Sequence, residues 1–172
     1  MDGIEGRPVI LVGVGGSSAS LAALAWAAAE ARHRDGTLRV VRAWQPHPAR
    51  ALYAGTGRTG AAFVSESAAA RQLDAEVRGV LGDEPGLPLA TEVVAGAAER
   101  VLPDRSAQAD LLVLGSGGQA PAVHSPVPVP ADHPVGPVVR ACISHARCPV
   151  VIISPAMAAQ RRSRAHLALQ PS

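Results

Sequence analysis

Residues 110–141 read DLLVLGSGGQAPAVHSPVPVPADHPVGPVVRA, and the fold follows from how this stretch is parsed. Leu111 to Leu114 is a short apolar run bounded by turn residues, the pattern of a fully buried strand. Gly115, Ser116, Gly117 and Gly118 form a glycine-rich turn directly after it. A proline-rich excursion follows, and Gly136-Pro137 then opens a helix predicted over Val138 to His145, since proline is tolerated in a first helical turn. Strand, glycine loop and helix N-terminus together can hold phosphate. Small residues let backbone N–H groups face the ligand, and the helix end adds partial positive charge. Glycine also ends buried strands for steric reasons alone, so the rest of the chain has to decide.

Working outward, the same alternation recurs. Pro8 to Val14 is an apolar strand closed by Gly15-Gly16-Ser17. Ser17 or Ser18 caps a helix that runs to about Arg34, with Leu21, Leu24, Ala25 and Ala28 as its expected buried stripe and Trp26 on a neighbouring face. Asp35-Gly36 stops it. Leu38 to Trp44 is a second strand, and Gln45 to Gly60 reads as loop. A helix is expected over about Ala61 to Leu81, with Leu73, Val77 and Val80 on one side. Leu87 to Val94 is a third strand and Gly96 begins another turn. Ala97 to Ala107 is a helix expected to break or shift near Pro103. Pro149 to Ser154 is the fifth strand. Strands alternating with helices imply an α/β domain with an open parallel five-stranded sheet and helices on both faces. Such sheets take ligands beyond the carboxyl ends of their strands, where strand order reverses. The turns at Gly13 to Ser18 and Gly115 to Gly118 are the expected walls of that crevice.

Composition narrows the function. The chain has 172 residues, 48% of them apolar but only 2% aromatic, and a formal net charge of +2. That suits one aliphatic domain and gives neither the basic surface nor the stacking platforms of a nucleic-acid binder. No apolar run approaches the length of a membrane span. The opening MDGIEGRP lacks the basic-then-apolar pattern of a secretory leader, and two cysteines imply no disulfide framework, so a reduced cytoplasm is the expectation. Cys142 and Cys148 read as buried, inert thiols. Residues 156–172, with Arg161, Arg162 and Arg164, read as a basic, solvated tail.

Four pieces in order resemble the universal stress proteins: VGVGGSSASLAALAWAAAEAR, GAAERVL at 96–102, DLLVLGSGG, and HARCPVVIISP. The resemblance covers residues 7 to 155, with 119–135 as an insertion. It implies the strand order 3-2-1-4-5 of an adenine nucleotide alpha hydrolase-like fold, commonly a homodimer, here through the fifth strand. Some members hold ATP or another adenine nucleotide and others hold none, so no cofactor is fixed for this chain. Carried onto this sequence, the nucleotide positions are Val14, Gly15, Ser17, Ala43, Gly115, Ser116, Gly118, Gly136 and Val138. Ala43 would lie beside adenine.

Two departures matter. The nucleotide-binding members space their phosphate motif as Gly, two residues, Gly, nine residues, then Gly followed by Ser or Thr. Here Gly115 and Gly118 fit, but residues 119–135 put seventeen before Gly136, and Pro137 stands where the hydroxyl belongs. Proline supplies neither hydroxyl nor N–H. The family's Asp after the first strand is replaced by Gly15. The expectation is therefore a non-enzymatic, stress-linked binding or regulatory protein with a degenerate adenine-nucleotide pocket. An ATP-binding member with slow hydrolysis, and a scaffold recruiting a protein through the proline-rich 119–135 segment, are the alternatives.

Other chemistries fit less well. A dinucleotide fingerprint would need a third glycine where Ser18 stands and an acidic residue after the second strand. The pyrophosphatase loop is met only in part by Val14 to Ala19. His124, Asp132 and His133 have no familiar metal spacing, and no base is assigned to Ser17, Ser18 or Ser116 as a nucleophile.

Overall fold

The structure is a computed structural model that describes residues 6–45, 66–117 and 135–154. Its elements alternate along the chain: β1 (Val9–Gly13), α1 (Ser18–His33), β2 (Thr37–Trp44), α2 (Glu66–Leu81), β3 (Leu89–Ala95), α3 (Ala98–Ser106), β4 (Leu111–Gly115), α4 (Pro137–His145) and β5 (Val150–Ile153). All strand pairings are parallel, in the order β3-β2-β1-β4-β5. This is the expected fold. The 61–65 part of the second expected helix, most of the 119–135 insertion and the 156–172 tail lie outside the described residues.

Side chains alternate across the sheet and split the core in two. Ile10, Val12, Leu38, Val40, Leu111 and Val113 face α1 and α2, meeting Leu24, Leu73 and Val77. Leu11, Val41, Leu112 and Leu114 face α3 and α4, meeting Val101, Leu102, Val139 and Cys142. The order β2-β1-β4 puts β1 and β4 side by side at the centre, and the chain leaves them in opposite lateral directions. Their carboxyl ends thus frame the crevice.

Two local expectations need correction. The buried stripe of α1 is Ala19, Ala23, Leu24, Ala27, Ala28 and Ala31; Leu21 is half-buried and Ala25 is exposed. Helix α3 is not broken at Pro103, which is buried inside it. The end of α3 is fixed by Ser106, whose hydroxyl donates to the Pro103 carbonyl at 2.6 Å and accepts the Arg147 N–H at 2.8 Å. Side-chain bonds of this kind supply alternatives where the helical ladder lacks a donor.

At the β3 edge, Arg105 of α3 clasps Glu92, with Nη2 at 2.6 Å and Nε at 3.1 Å from the same oxygen. The hydrogen bond from Arg105 holds the Glu92 carboxyl below its usual range, against the opposing effect of partial burial. A depressed carboxylate pKa stabilises the fold above the unfolded-state value, and the contribution is lost as pH falls through the folded value. Both partners are more than a third exposed, so the effect stays within about 1 kcal/mol. Glu92→Gln should lower stability slightly at neutral pH, and the gap to the native chain should narrow at a pH below the usual carboxylate range. Denaturant titrations at both pH values check this; an equal gap at both would contradict it.

Candidate functional site

The first wall of the crevice is built by β1 running into α1. Val14 is buried, and its N–H continues the ladder to the Val41 carbonyl at 3.0 Å. Gly15 is exposed, and a Cβ added there meets nothing within 4 Å. Gly16 turns the chain with φ +83°, a conformation suited to glycine. Ser17 is the N-cap of α1, its Oγ accepting the Ser20 N–H at 3.2 Å. That settles which of the two serines caps.

The second wall is built by β4 running toward α4. Gly115 packs directly on the first turn of α1, where an added Cβ would lie 2.5 Å from the Ala19 carbonyl carbon. Ser116 donates its N–H to the Ile153 carbonyl at 2.9 Å, and its own carbonyl faces the Gly136 N–H at 3.4 Å. Gly117 has φ +71°, and a Cβ there would stand 3.1 Å from both N and Cα of Gly136. Gly117 and Gly136, on either side of the connection, therefore meet. Gly136 sits against the β4 loop although the sequence spacing departs from nine.

Helix α4 opens with Gly136 as an N-cap that has no side chain to offer, then Pro137. Its next N–H groups, on Val138 and Val139, have no acceptor within the helix by geometry. Neither α1 nor α4 carries an acidic residue in its first turn, so both helix ends stay favourable to an anion. Of the expected positions, Val14, Gly15, Ser17, Gly115, Ser116, Gly136 and Val138 line these two walls. Ala43 lies half-buried on β2, on the α3 and α4 side next to Val94. Gly118 lies outside the described residues, as do His124, Asp132 and His133.

Three residues escaped the sequence reading. Ser20 is buried, and its Oγ accepts the Gly15 N–H at 3.3 Å. Arg42, which is buried, and Glu76, which is half-buried, form an ion pair beside the Gly16 turn, 2.8 Å apart at their closest atoms. A signal for Arg42 was present: it continues the inward alternation Leu38, Val40, Arg42 of β2.

No cluster of three His, Cys, Asp or Glu able to hold a metal occurs among the described residues. Burial pushes the Cys142 thiol up to about 11, and Cys148 is raised by the same cause. Thiolate is the reactive form, so a disulfide-exchange reagent at pH 8 should leave Cys142 unlabelled in the folded protein and label it in denaturant. Rapid labelling of Cys142 without unfolding would contradict this. A cleft of about 500 Å³ lies against β3 and α2, between Glu66, Leu73, Asp74, Thr91 and Val93, apart from the crevice.

A sequence model described as "Universal stress protein family" matches residues 7–154. The chain belongs to the universal stress protein family. Solved universal stress proteins share its fold. UspA from Lactobacillus plantarum aligns with TM-score 0.54 at 22% identity, covering 87% of this chain and 99% of that one. The Archaeoglobus fulgidus universal stress protein in complex with dAMP gives 0.52 at 21% identity, covering 86% and 97%. A universal stress protein in complex with cAMP gives 0.55 at 21% identity, covering 85% and 95%. Among the described residues of this universal stress protein, no helix is long and apolar enough to cross a membrane.

Proposed function

We propose that this universal stress protein is a non-enzymatic, cytoplasmic binding or regulatory protein, linked to the stress response, whose adenine-nucleotide crevice keeps its walls but has a weakened phosphate grip. The observation that carries the reading is the meeting of the Gly115–Gly117 loop with the start of α4 at Gly136. The N-terminus of α4 meets the glycine loop there, with no acidic side chain in the helix's first turn. Two relatives of the same fold are in complex with dAMP and cAMP, which supports an adenine nucleotide as the ligand class. Against a firm grip stand Gly15, with no carboxylate, and Pro137, with no hydroxyl or N–H. The same convergence also favours the second reading, an ATP-binding protein that reaches the nucleotide with altered loops. Mass spectrometry of small molecules released from the purified protein separates the two. Stoichiometric ATP would favour the second reading; none, or a less charged adenine compound, favours the first.

The domain of this reading spans 7–155, with 119–135 as an insertion able to present a proline-rich segment to a protein partner. Its assembly is a two-fold homodimer through β5. This strand pairs with β4 on one side only among the described residues, and it is entirely Val and Ile. Apolar strand edges left open invite pairing with another chain. Light scattering at micromolar concentration should give twice the chain mass, and Val151→Lys should shift the protein to monomer. A native monomer would remove the dimer from the proposal.

A further inference from the structure

Arg42 is the only charged side chain buried outright among the described residues, at 6% exposure. A buried ion pair is weak as a stabiliser, because desolvation offsets most of the attraction. Its geometry points to a different role. Arg42 Nε donates to the Val14 carbonyl at 3.3 Å, and Nη2 donates to both Glu76 oxygens, at 3.0 and 2.8 Å. The N–H of the same peptide unit, on Gly15, donates to Ser20 Oγ at 3.3 Å. Ser20 Oγ in turn donates a hydrogen bond to the Ser17 carbonyl at 2.9 Å. The Val14–Gly15 peptide is thus gripped at both polar atoms, by a side chain of β2 and a side chain of α1. Directly after it, a Cβ on Gly16 would lie 3.3 Å from Arg42 Nη2 and 3.2 Å from Glu76 Oε1. The pair is packed against the turn.

We infer that Arg42 and Ser20 are positioning residues for the first wall of the crevice, and that Glu76 ties the setting of that wall to α2. The inference rests on reading the crevice as the nucleotide site. Gly15 has no side chain, so this wall presents only its backbone, and the orientation of one peptide decides what a ligand meets. Gln72, which donates to Glu76 Oε1 at 3.2 Å, holds the carboxylate in turn.

The test uses three variants of the full chain and two kinds of readout. Arg42→Met with Glu76→Leu removes both charges together, so no unpaired ion is left buried and folding is retained. Arg42→Lys keeps the charge but lacks the planar fork that serves Val14 and Glu76 at once. Ser20→Ala frees the Gly15 N–H. In amide NMR spectra, the double variant and Arg42→Lys should both move the Gly15 and Gly16 resonances and leave Cys142, on the other face of the sheet, in place, and Ser20→Ala should speed exchange of the Gly15 amide. In NMR titrations with AMP, which read millimolar affinities, each should weaken binding about tenfold, the scale of one lost hydrogen bond. Unmoved Gly15 and Gly16 resonances in the folded double variant would overturn the inference. So would Arg42→Lys behaving as the native chain in both readouts. If native protein takes no AMP at all, the nucleotide reading falls, and the glycine resonances still decide whether Arg42 sets the turn.

Discussion

Millimolar ATP should produce little or no heat with the native chain, whereas a repaired chain should bind it measurably. The repair joins Gly15→Asp to a replacement of residues 119–137 by nine residues followed by Gly-Ser. Each departure removes a contact to a charged ligand, worth on the order of 1–3 kcal/mol. They sit at different walls, one after β1 and one at the start of α4, so their effects should roughly add. Together they amount to about two orders of magnitude in affinity or more. The structure makes the first half of the repair sterically free, since an added Cβ at Gly15 meets nothing within 4 Å. It also tempers the second half. The Val138 and Val139 N–H groups remain at the helix end, so the grip is weakened there and not erased. Calorimetry on native, singly and doubly repaired chains resolves the contributions. Tight ATP binding by the native chain would reject the degenerate-pocket reading and leave the ATP-binding alternative in its place.

Gly115→Ala should be far more damaging than Gly15→Asp, although it adds less. The new methyl would lie 2.5 Å from the Ala19 carbonyl carbon, 2.7 Å from its oxygen and 2.7 Å from the Ser20 nitrogen. All three are backbone atoms of the first turn of α1, which cannot rotate away like a side chain. Overpacking of this kind costs about 3 kcal/mol, or a fall of about 10 °C in Tm for a chain of this size. It should also part the two walls, since Gly115 is where they touch. Thermal unfolding followed by circular dichroism compares the two variants directly. A Gly115→Ala protein as stable as Gly15→Asp would show that α1 and β4 can slide apart at no cost.

Much of this architecture is legible in the residues themselves. The strands were legible because each is a short apolar run between turn residues, and their alternation with helices dictated the layers. Their ends moved by a residue or two; β5, read as Pro149 to Ser154, pairs only over Val150–Ile153. The face of α1 was misread because its stripe is largely alanine. Alanine is so frequent on both sides of that helix that periodicity gives no phase, and Ala25 is exposed while Ala23 and Ala27 are buried. Glycine positions disclosed the crevice, since Gly115 and Gly16 answer to close approach and positive φ. Arg42 and Glu76 stayed hidden for a different reason. A charged residue is assigned to solvent by default, and their pairing joins β2 to α2 across 34 positions of sequence.

The contact between Gly117 and Gly136 also bears on how this domain tolerates change in length. A connection whose ends are fixed by the domain itself imposes on the fold only the entropy of closing it, which grows with the logarithm of its length. Going from nine residues to seventeen, nearly a doubling, costs about 0.6 kcal/mol by that rule. The start of α4 is held by its own neighbours, whatever joins it to β4. Residues 119–134 thus occupy a cassette position: a foreign peptide inserted there is paid for in fractions of a kcal/mol, which makes this junction the natural place to graft one onto the domain.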